Sequence, residues 1–288
     1  GGKIMSFKNW IKGTVVLATG LLLAACGNDE PGEVDGEAQG SDAEETTITI
    51  GASNVPHAEI LDFVAPTLAE EGIILEIERY TDYVIPNLAL SEGDIDANYF
   101  QHVPFFEEAV AENDYDFVNL GGIHIEPIAG YSQRHDSLDD LPENATVLTS
   151  NSVPDHGRVL AILQEAGLVT IEEGVDLTTA SFDDIVDNPL NLQFEYEYDP
   201  ALLPTLLEQD EGDIIFINAN FAVDNDLHPL EDSIAVEDLE SPYANIIAVQ
   251  TEDENNAAIL RLVEVLRSEE TQDFILETWG GSVIPATE

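Results

Sequence analysis

The chain has 288 residues, 44% of them apolar and 23% charged, which is enough material for one large hydrophobic core or two ordinary ones. Its 59 acidic residues stand against 8 basic ones, a formal net charge of −51, and this excludes roles that rest on attraction to nucleic-acid phosphates or anionic lipid headgroups. Past the first 26 residues the only basic side chains are Arg79, Arg134, Arg158, Arg261 and Arg267. Such a body repels itself unless salt screens it, over about 3 Å at 1 M, so the surface reads as halophilic or salt-exposed.

Met5 reads as the natural start. Lys8 and Lys12 then precede an apolar, small-residue run from Gly13 to Ala25. A positive segment followed by a short apolar one is a secretory signal, too short for a stable membrane span. The run closes on Leu23-Ala24-Ala25-Cys26, which resembles the lipobox of bacterial lipoproteins; Cys26, the single cysteine, is the expected lipidation point, and a lone cysteine removes disulfide and CxxC readings. Residues 1–26 are therefore expected to be a signal peptide with lipobox, and residues 27–46, with no aromatic residue and little to bury, an acidic flexible tether.

From Thr47 the pattern becomes that of a folded body. Thr-Ile-Thr-Ile-Gly-Ala alternates as a strand; a helix is expected from about Ala58 to Glu71, with Pro66 bending it or restarting it, then a strand from Ile73 to Tyr80. A short helix at 86–90, a strand from Ile95 to Tyr99, a strand from Ala145 to Leu148, a helix from Gly157 to Ala166 and strands at 192–198 and 213–217 continue the alternation, which is that of α/β units with parallel strands. A last strand at 246–249 and two helices at 256–267 and 269–278 end it. PNLALSEGDIDANYF at 86–100 and PTLLEQDEGDIIFINANF at 204–221 form a weak repeat of apolar helix, Gly-Asp, strand and Asn with an aromatic residue. Two related lobes would each present polar and aromatic groups at strand carboxyl ends, where open α/β sheets bind ligands. The expected fold class is α/β, a two-lobed periplasmic-binding-protein-like fold with the cleft between lobes joined by two crossover segments. Lobe 1 is 47–140 plus 241–288 and lobe 2 is 141–240, with crossings near Leu141 and Ser241.

GASNVPHAEIL at 51–61, TDYVIPNLALSEGDIDANYFQHVPFF at 81–106, HIEPIAGYS at 124–132, GRVL at 157–160, INANFA at 217–222, SPYANIIAV at 241–249 and GGSVIPA at 280–286 resemble the methionine-binding lipoproteins of the NlpA family. The resemblance implies a lipidated, extracytoplasmic substrate-binding protein on the cell membrane, serving an importer of two permeases and two ATPases, with no cofactor and a monomeric body. It also implies a ligand site. Tyr83 and Phe100 line the methionine side-chain pocket, with His102 beside them and Phe105 closing the wall. Arg158 holds the ligand carboxylate. Asn218 and Asn245 bond the amino and carboxylate groups, and Asn220 and Asp155 are less secure members.

The residue chemistry stands beside that resemblance. A zwitterionic amino acid needs a cation, acceptors for its ammonium and a surface for its side chain, and Arg158 offers a planar fork suited to a carboxylate. Read alone, Arg158 equally suits a structural or surface ion pair, the asparagines suit loop caps, the rings suit core packing and Asp155 suits the surface. On the carboxylate reading, Arg158→Ala should remove affinity and spare the fold. The family usually carries a Pro-Asn-Asp-Pro-like turn before the arginine, and this chain departs from it with Ser150-Asn151-Ser152-Val153-Pro154-Asp155-His156. The six histidines show no metal-ligand spacing, and no GxSxG, Walker or dinucleotide fingerprint occurs. The reading is capture of methionine, with another small apolar amino acid or a short Met-containing peptide as the alternative, and a surface hydrolase or adhesive lipoprotein as the competitor of a different class.

Overall fold

A computed structural model describes residues 45–238 and 242–286. The signal segment, Cys26, residues 27–44 of the tether and the crossing near Ser241 lie outside the described residues. No helix among the described residues is long and apolar enough to cross a membrane.

In chain order the body runs β1 (Thr46–Ser53), a turn at Asn54–Ala58, α1 (Glu59–Glu70), β2 (Ile73–Tyr80), α2 (Ile85–Glu92), β3 (Ala97–His102), α3 (Val103–Asn113), β4 (Phe117–Ile125) and β5 (Ile128–Tyr131). It continues through β6 (Thr146–Ser150), α4 (Val153–Glu165), β7 (Thr170–Ile171), β8 (Ile185–Asp187), β9 (Gln193–Tyr198), α5 (Leu203–Glu208), β10 (Ile214–Asn218), α6 (Ala219–Asp224) and β11 (Ala235–Val236). The end is β12 (Ala244–Gln250), α7 (Ala257–Leu266), α8 (Glu269–Trp279) and β13 (Ile284–Pro285).

Two mixed sheets result, one in the order β13-β4-β12-β3-β1-β2 and one in the order β11-β5-β10-β6-β9. The α/β alternation holds, but the strands are not all parallel. β1 runs parallel to β2 and β3, whereas β12 runs antiparallel to β3 and β4, because it enters its sheet from the opposite end after the return from the other sheet. β10 pairs parallel with β6 and antiparallel with β5. The chain changes sheet between Ile125 and Ile128, ahead of the crossing expected near Leu141.

Both sheets are covered on two faces, which explains why their central strands read as unbroken apolar runs. In β12, Ile247 and Val249 pack with α1, α7 and α8, while Ile246 and Ala248 pack with Leu90 of α2 and Phe106 of α3. In β10, Ile214 and Phe216 face Val159, Leu160 and Leu163 of α4, and Ile215 and Ile217 face Leu203 and Leu207 of α5. Pro66 sits inside a continuous α1. The weak repeat corresponds to α2 with β3 and α5 with β10, and each of those strands is interior to its own sheet.

One helix begins earlier than its periodicity indicates. The Val153-Pro154-Asp155-His156 stretch is the first turn of α4, entered from extended Ser152, and proline is tolerated there because first-turn N–H groups have no intrahelical acceptor. Asp155 and Arg158 therefore share one helix face at i and i+3.

Candidate functional site

The strand ends converge on one cavity. It is lined by all nine residues singled out in the sequence: Tyr83, Phe100, His102, Phe105, Asp155, Arg158, Asn218, Asn220 and Asn245. Phe100 and His102 come from the carboxyl end of β3, Phe105 from the first turn of α3, Asn218 from the end of β10, and Arg158 from α4 behind β6. Tyr83 lies in the β2–α2 connection, where Asp82 Oδ1 accepts the N–H groups of Val84 and Ile85 at 2.7 and 2.8 Å and starts the helix. A buried amide lattice fixes β3 beneath α2: Asn87 donates to Gln101 at 3.0 Å, and Asn98 donates to Asn87 at 2.9 Å.

One wall is aromatic. The rings of Tyr83, Phe100 and Phe105 stand 5.8–6.1 Å apart, and Tyr83 also meets Phe221 at 5.1 Å. Tyr83 donates its hydroxyl to Asn220 Oδ1 at 2.7 Å, and burial holds its pKa well above the ordinary value, so the ring stays neutral.

The opposite side is polar and highly organised. Arg158 is 3% exposed, so the surface ion-pair reading is excluded, as is the surface reading of Asp155, which is 1% exposed. The guanidinium donates through Nε and Nη2 to Glu237 at 3.0 and 2.5 Å, through Nη1 to Asp155 at 3.1 Å and through Nη2 to the Glu126 carbonyl at 2.7 Å. Of its five N–H groups, one on Nη1 has no hydrogen bond among the described residues, so the fork is not open for a bidentate carboxylate in this state. Asp155 is engaged at both oxygens, by His102 at 3.2 Å and Arg158 on one and by Asn218 Nδ2 at 2.9 Å on the other. Burial works against its ionisation but is outweighed by the His102 hydrogen bond and the Arg158 charge, which hold the carboxyl well below the usual range. Burial likewise opposes the charge on Arg158, and Glu237 and Asp155 overcome it and raise its pKa further.

The polar residues at or behind the lining that escaped the sequence reading include His57, Gln101, Glu126 and Glu237. His57 and Glu126 stand in segments that resemble the family, and their positions just beyond β1 and β4 were the available signal. Glu237 follows a two-residue strand in an acidic stretch and carries no local signal. His57 Nε2 donates to Asn245 Oδ1 at 2.9 Å, which leaves the Asn245 amide nitrogen free of hydrogen bonds among the described residues. His124 Nε2 donates to Glu126 Oε1 at 2.6 Å, while the Tyr99 hydroxyl bonds His124 Nδ1. Burial lowers His57 to about 4, partly offset by Glu126, and lowers His124 to about 3. Burial raises Glu126. His57, His124 and Glu126 also bring ligand-type atoms within 4.8 Å of one another, a set able to hold a metal ion that the scattered sequence positions do not disclose.

Two of the cavity-lining residues carry an acceptor without a donor. Asn218 Oδ1 and His57 Nδ1 are both buried with no hydrogen-bond partner among the described residues. A buried orphan acceptor is costly, and it is satisfied when a donor enters the cavity.

Residues 48–287 match the family described as NlpA lipoprotein. The chain is 41% identical over 283 residues to the methionine-binding lipoprotein MetQ of Bacillus subtilis (strain 168), covering 98% of this chain and 100% of that protein. Among solved structures, a pheromone cOB1 precursor/lipoprotein of the YaeC family from Enterococcus faecalis V583 superposes with a TM-score of 0.82 at 57% identity, over 84% of this chain and 100% of that one. A nutrient binding protein from Burkholderia cenocepacia, bound to methionine, superposes with a TM-score of 0.78 at 36% identity, over 83% and 100%. With nearly all of the described body matched and its relatives matched end to end, the chain belongs to the NlpA lipoprotein family.

Proposed function

We propose that this chain is the extracytoplasmic substrate-binding lipoprotein of an ATP-driven importer, and that its cargo is methionine. The observation that carries the reading is a cavity with one aromatic wall and one wall of unspent polar groups: Tyr83, Phe100 and Phe105 on one side, the remaining Nη1 hydrogen of Arg158, the Asn245 amide and the orphan Asn218 Oδ1 on the other. A thioether side chain gains polarizable contacts against such rings, and a zwitterionic headgroup supplies both the acceptors and the donors that the polar wall lacks. Support also comes from the methionine in the Burkholderia cenocepacia relative and from the naming of the Bacillus subtilis one.

In this reading Cys26 carries the lipid anchor, residues 27–46 are the tether, and the two sheets are the cores of two lobes that close on the ligand. Capture follows because ligand contacts exist only in the closed arrangement and so shift the population toward it, after which permease and ATPase subunits receive the loaded form. Calorimetric titration of L-methionine into the chain in molar salt, after refolding to remove carried-over ligand, tests the reading. One saturable site supports it; a flat titration in a folded, ligand-free sample overturns methionine as cargo.

A further inference from the structure

The chain passes between the two sheets twice, at 126–127 and again between 236 and 244. One side chain, Arg158 of α4, touches both passages. Its Nη2 donates to the Glu126 carbonyl at 2.7 Å in the first, and its Nε and Nη2 donate to Glu237 at 3.0 and 2.5 Å in the second. The guanidinium also lies over the Tyr243 ring, 4.6 Å from its centre, at the far end of the second passage. Tyr243 in turn meets the ring of His102 at 5.1 Å, edge to face.

Glu237 closes this arrangement. It is buried, its backbone N–H donates to the Ile128 carbonyl at 3.0 Å, and its Oε2 accepts the Ile128 N–H at 3.2 Å. The carboxylate thus takes three N–H groups, two from Arg158 and one from the strand that begins just past the opposite passage. It stands behind the cavity lining, whereas Arg158 belongs to the lining. Holding the Nε–Nη2 edge of a planar guanidinium fixes the direction of its third nitrogen. That nitrogen, Nη1, gives one hydrogen to Asp155 at 3.1 Å, and its other hydrogen has no hydrogen bond among the described residues.

We propose that Glu237 is a positioning residue for the ligand carboxylate: it pins Arg158 against both passages and leaves Nη1 as the edge available to the ligand. Glu237 touches no ligand and acts through the arginine. The inference rests on the amino-acid reading above and adds to it a residue whose effect depends on whether the ligand carries a carboxylate. Because the pin is built from the segments that join the sheets, the direction of Nη1 is set by how those segments lie, and a ligand carboxylate meets it in this arrangement. A glutamine at 237 has one acceptor oxygen for three N–H groups and turns its own amide hydrogens toward other donors, so the guanidinium is released on that edge.

The test titrates L-methionine and L-methioninol, in which an alcohol replaces the carboxylate, into the full chain and into Glu237→Gln in molar salt. The substitution should weaken methionine by about 10-fold or more, the worth of a hydrogen bond to a charged group, and change methioninol by less than about threefold. If wild type binds methionine and the substitution weakens both ligands alike, or neither, the assignment falls and the receptor reading stands. If wild type binds no methionine, the receptor reading falls and takes the assignment with it. A second measurement needs no ligand. The chain has five arginines, so isotope labelling of arginine gives five Nε–H resonances, assigned by replacing the other four in turn. The Arg158 Nε–H should exchange slowly with solvent in wild type and shift and exchange faster in Glu237→Gln; an unchanged signal overturns the proposal, including where wild type binds methioninol too weakly to compare. Should Glu237→Gln not fold, Glu237→Asp is read the same way, since it keeps the charge but is one methylene too short to hold Arg158 and the Ile128 N–H together.

Discussion

Asp155 and Arg158 lie three residues apart on the first turns of α4 and pair at 3.1 Å with both side chains buried. The arginine is thereby both a cavity-lining group and the counter-charge of two buried acids, and these two roles cannot be removed separately by truncation.

Arg158→Ala should therefore abolish most methionine affinity and also lower stability, because it leaves Asp155 and Glu237 buried without their cation. The expected destabilisation is about 3–5 kcal/mol. This reverses the expectation from sequence that the fold would be spared. Unfolding curves in molar salt check it, and an unchanged midpoint would contradict the buried ion-pair network.

Phe100→Ala should weaken methionine by roughly threefold to tenfold, while glycine and alanine lose little, because only the longer side chain reaches the rings. Displacement titrations with the three amino acids measure the ratio. An equal loss for all three would argue against ring contact with the ligand side chain.

Gly157→Ala should destabilise by about 1–3 kcal/mol, the usual cost of overpacking. A Cβ there would stand 1.6 Å from the Leu177 carbonyl oxygen, which is backbone and cannot rotate away. The shift of α4 that relieves the clash would also move Asp155 and Arg158, so affinity should fall together with the midpoint; a midpoint equal to wild type would show that the loop at 175–178 yields freely.

His57 and His124 titrate below the ordinary histidine value, at about 4 and about 3, so the native chain binds fewer protons than the unfolded chain as the pH drops below 6.5. Stability from these rings is fully present above pH 6.5 and is lost as pH falls, by about 3 kcal/mol for His57 at pH 4. Asp155 stays ionised through that window because its own pKa is depressed. Unfolding midpoints between pH 7 and pH 4 in molar salt should decline, and His124→Gln should decline less steeply. Identical slopes would contradict the neutral, buried state of the ring.

Much of the fold was legible because its signals are local. Each strand–helix alternation from Thr47 onward rests on apolar period and turn chemistry, and the central strands show their two-sided burial as unbroken runs such as Ile214–Ile217. The first sheet change was misplaced because Ile128–Tyr131 has the same apolar character whichever sheet receives it. The start of α4 was misread because Val153-Pro154 resembles a turn, and only its packing shows that the proline occupies a position where no N–H is needed.

By itself the sequence offered the main ingredients of the cavity lining: aromatic rings, a histidine, one arginine, an aspartate and three asparagines, carried on strand ends, connections and the first turns of helices. Their pairing was decided by the tertiary structure. Arg158 and Glu237 are 79 positions apart and are joined by a hydrogen bond of 3.0 Å, and His57 and Asn245 are 188 apart yet meet at 2.9 Å. Whether an arginine is free or committed, and whether a glutamate such as Glu126 is solvated or buried beside neutral histidines, depends on which strands lie side by side. Charge and hydrogen-bond environments are properties of neighbours in space, and a chain that crosses twice between sheets assembles those neighbours from its most distant segments.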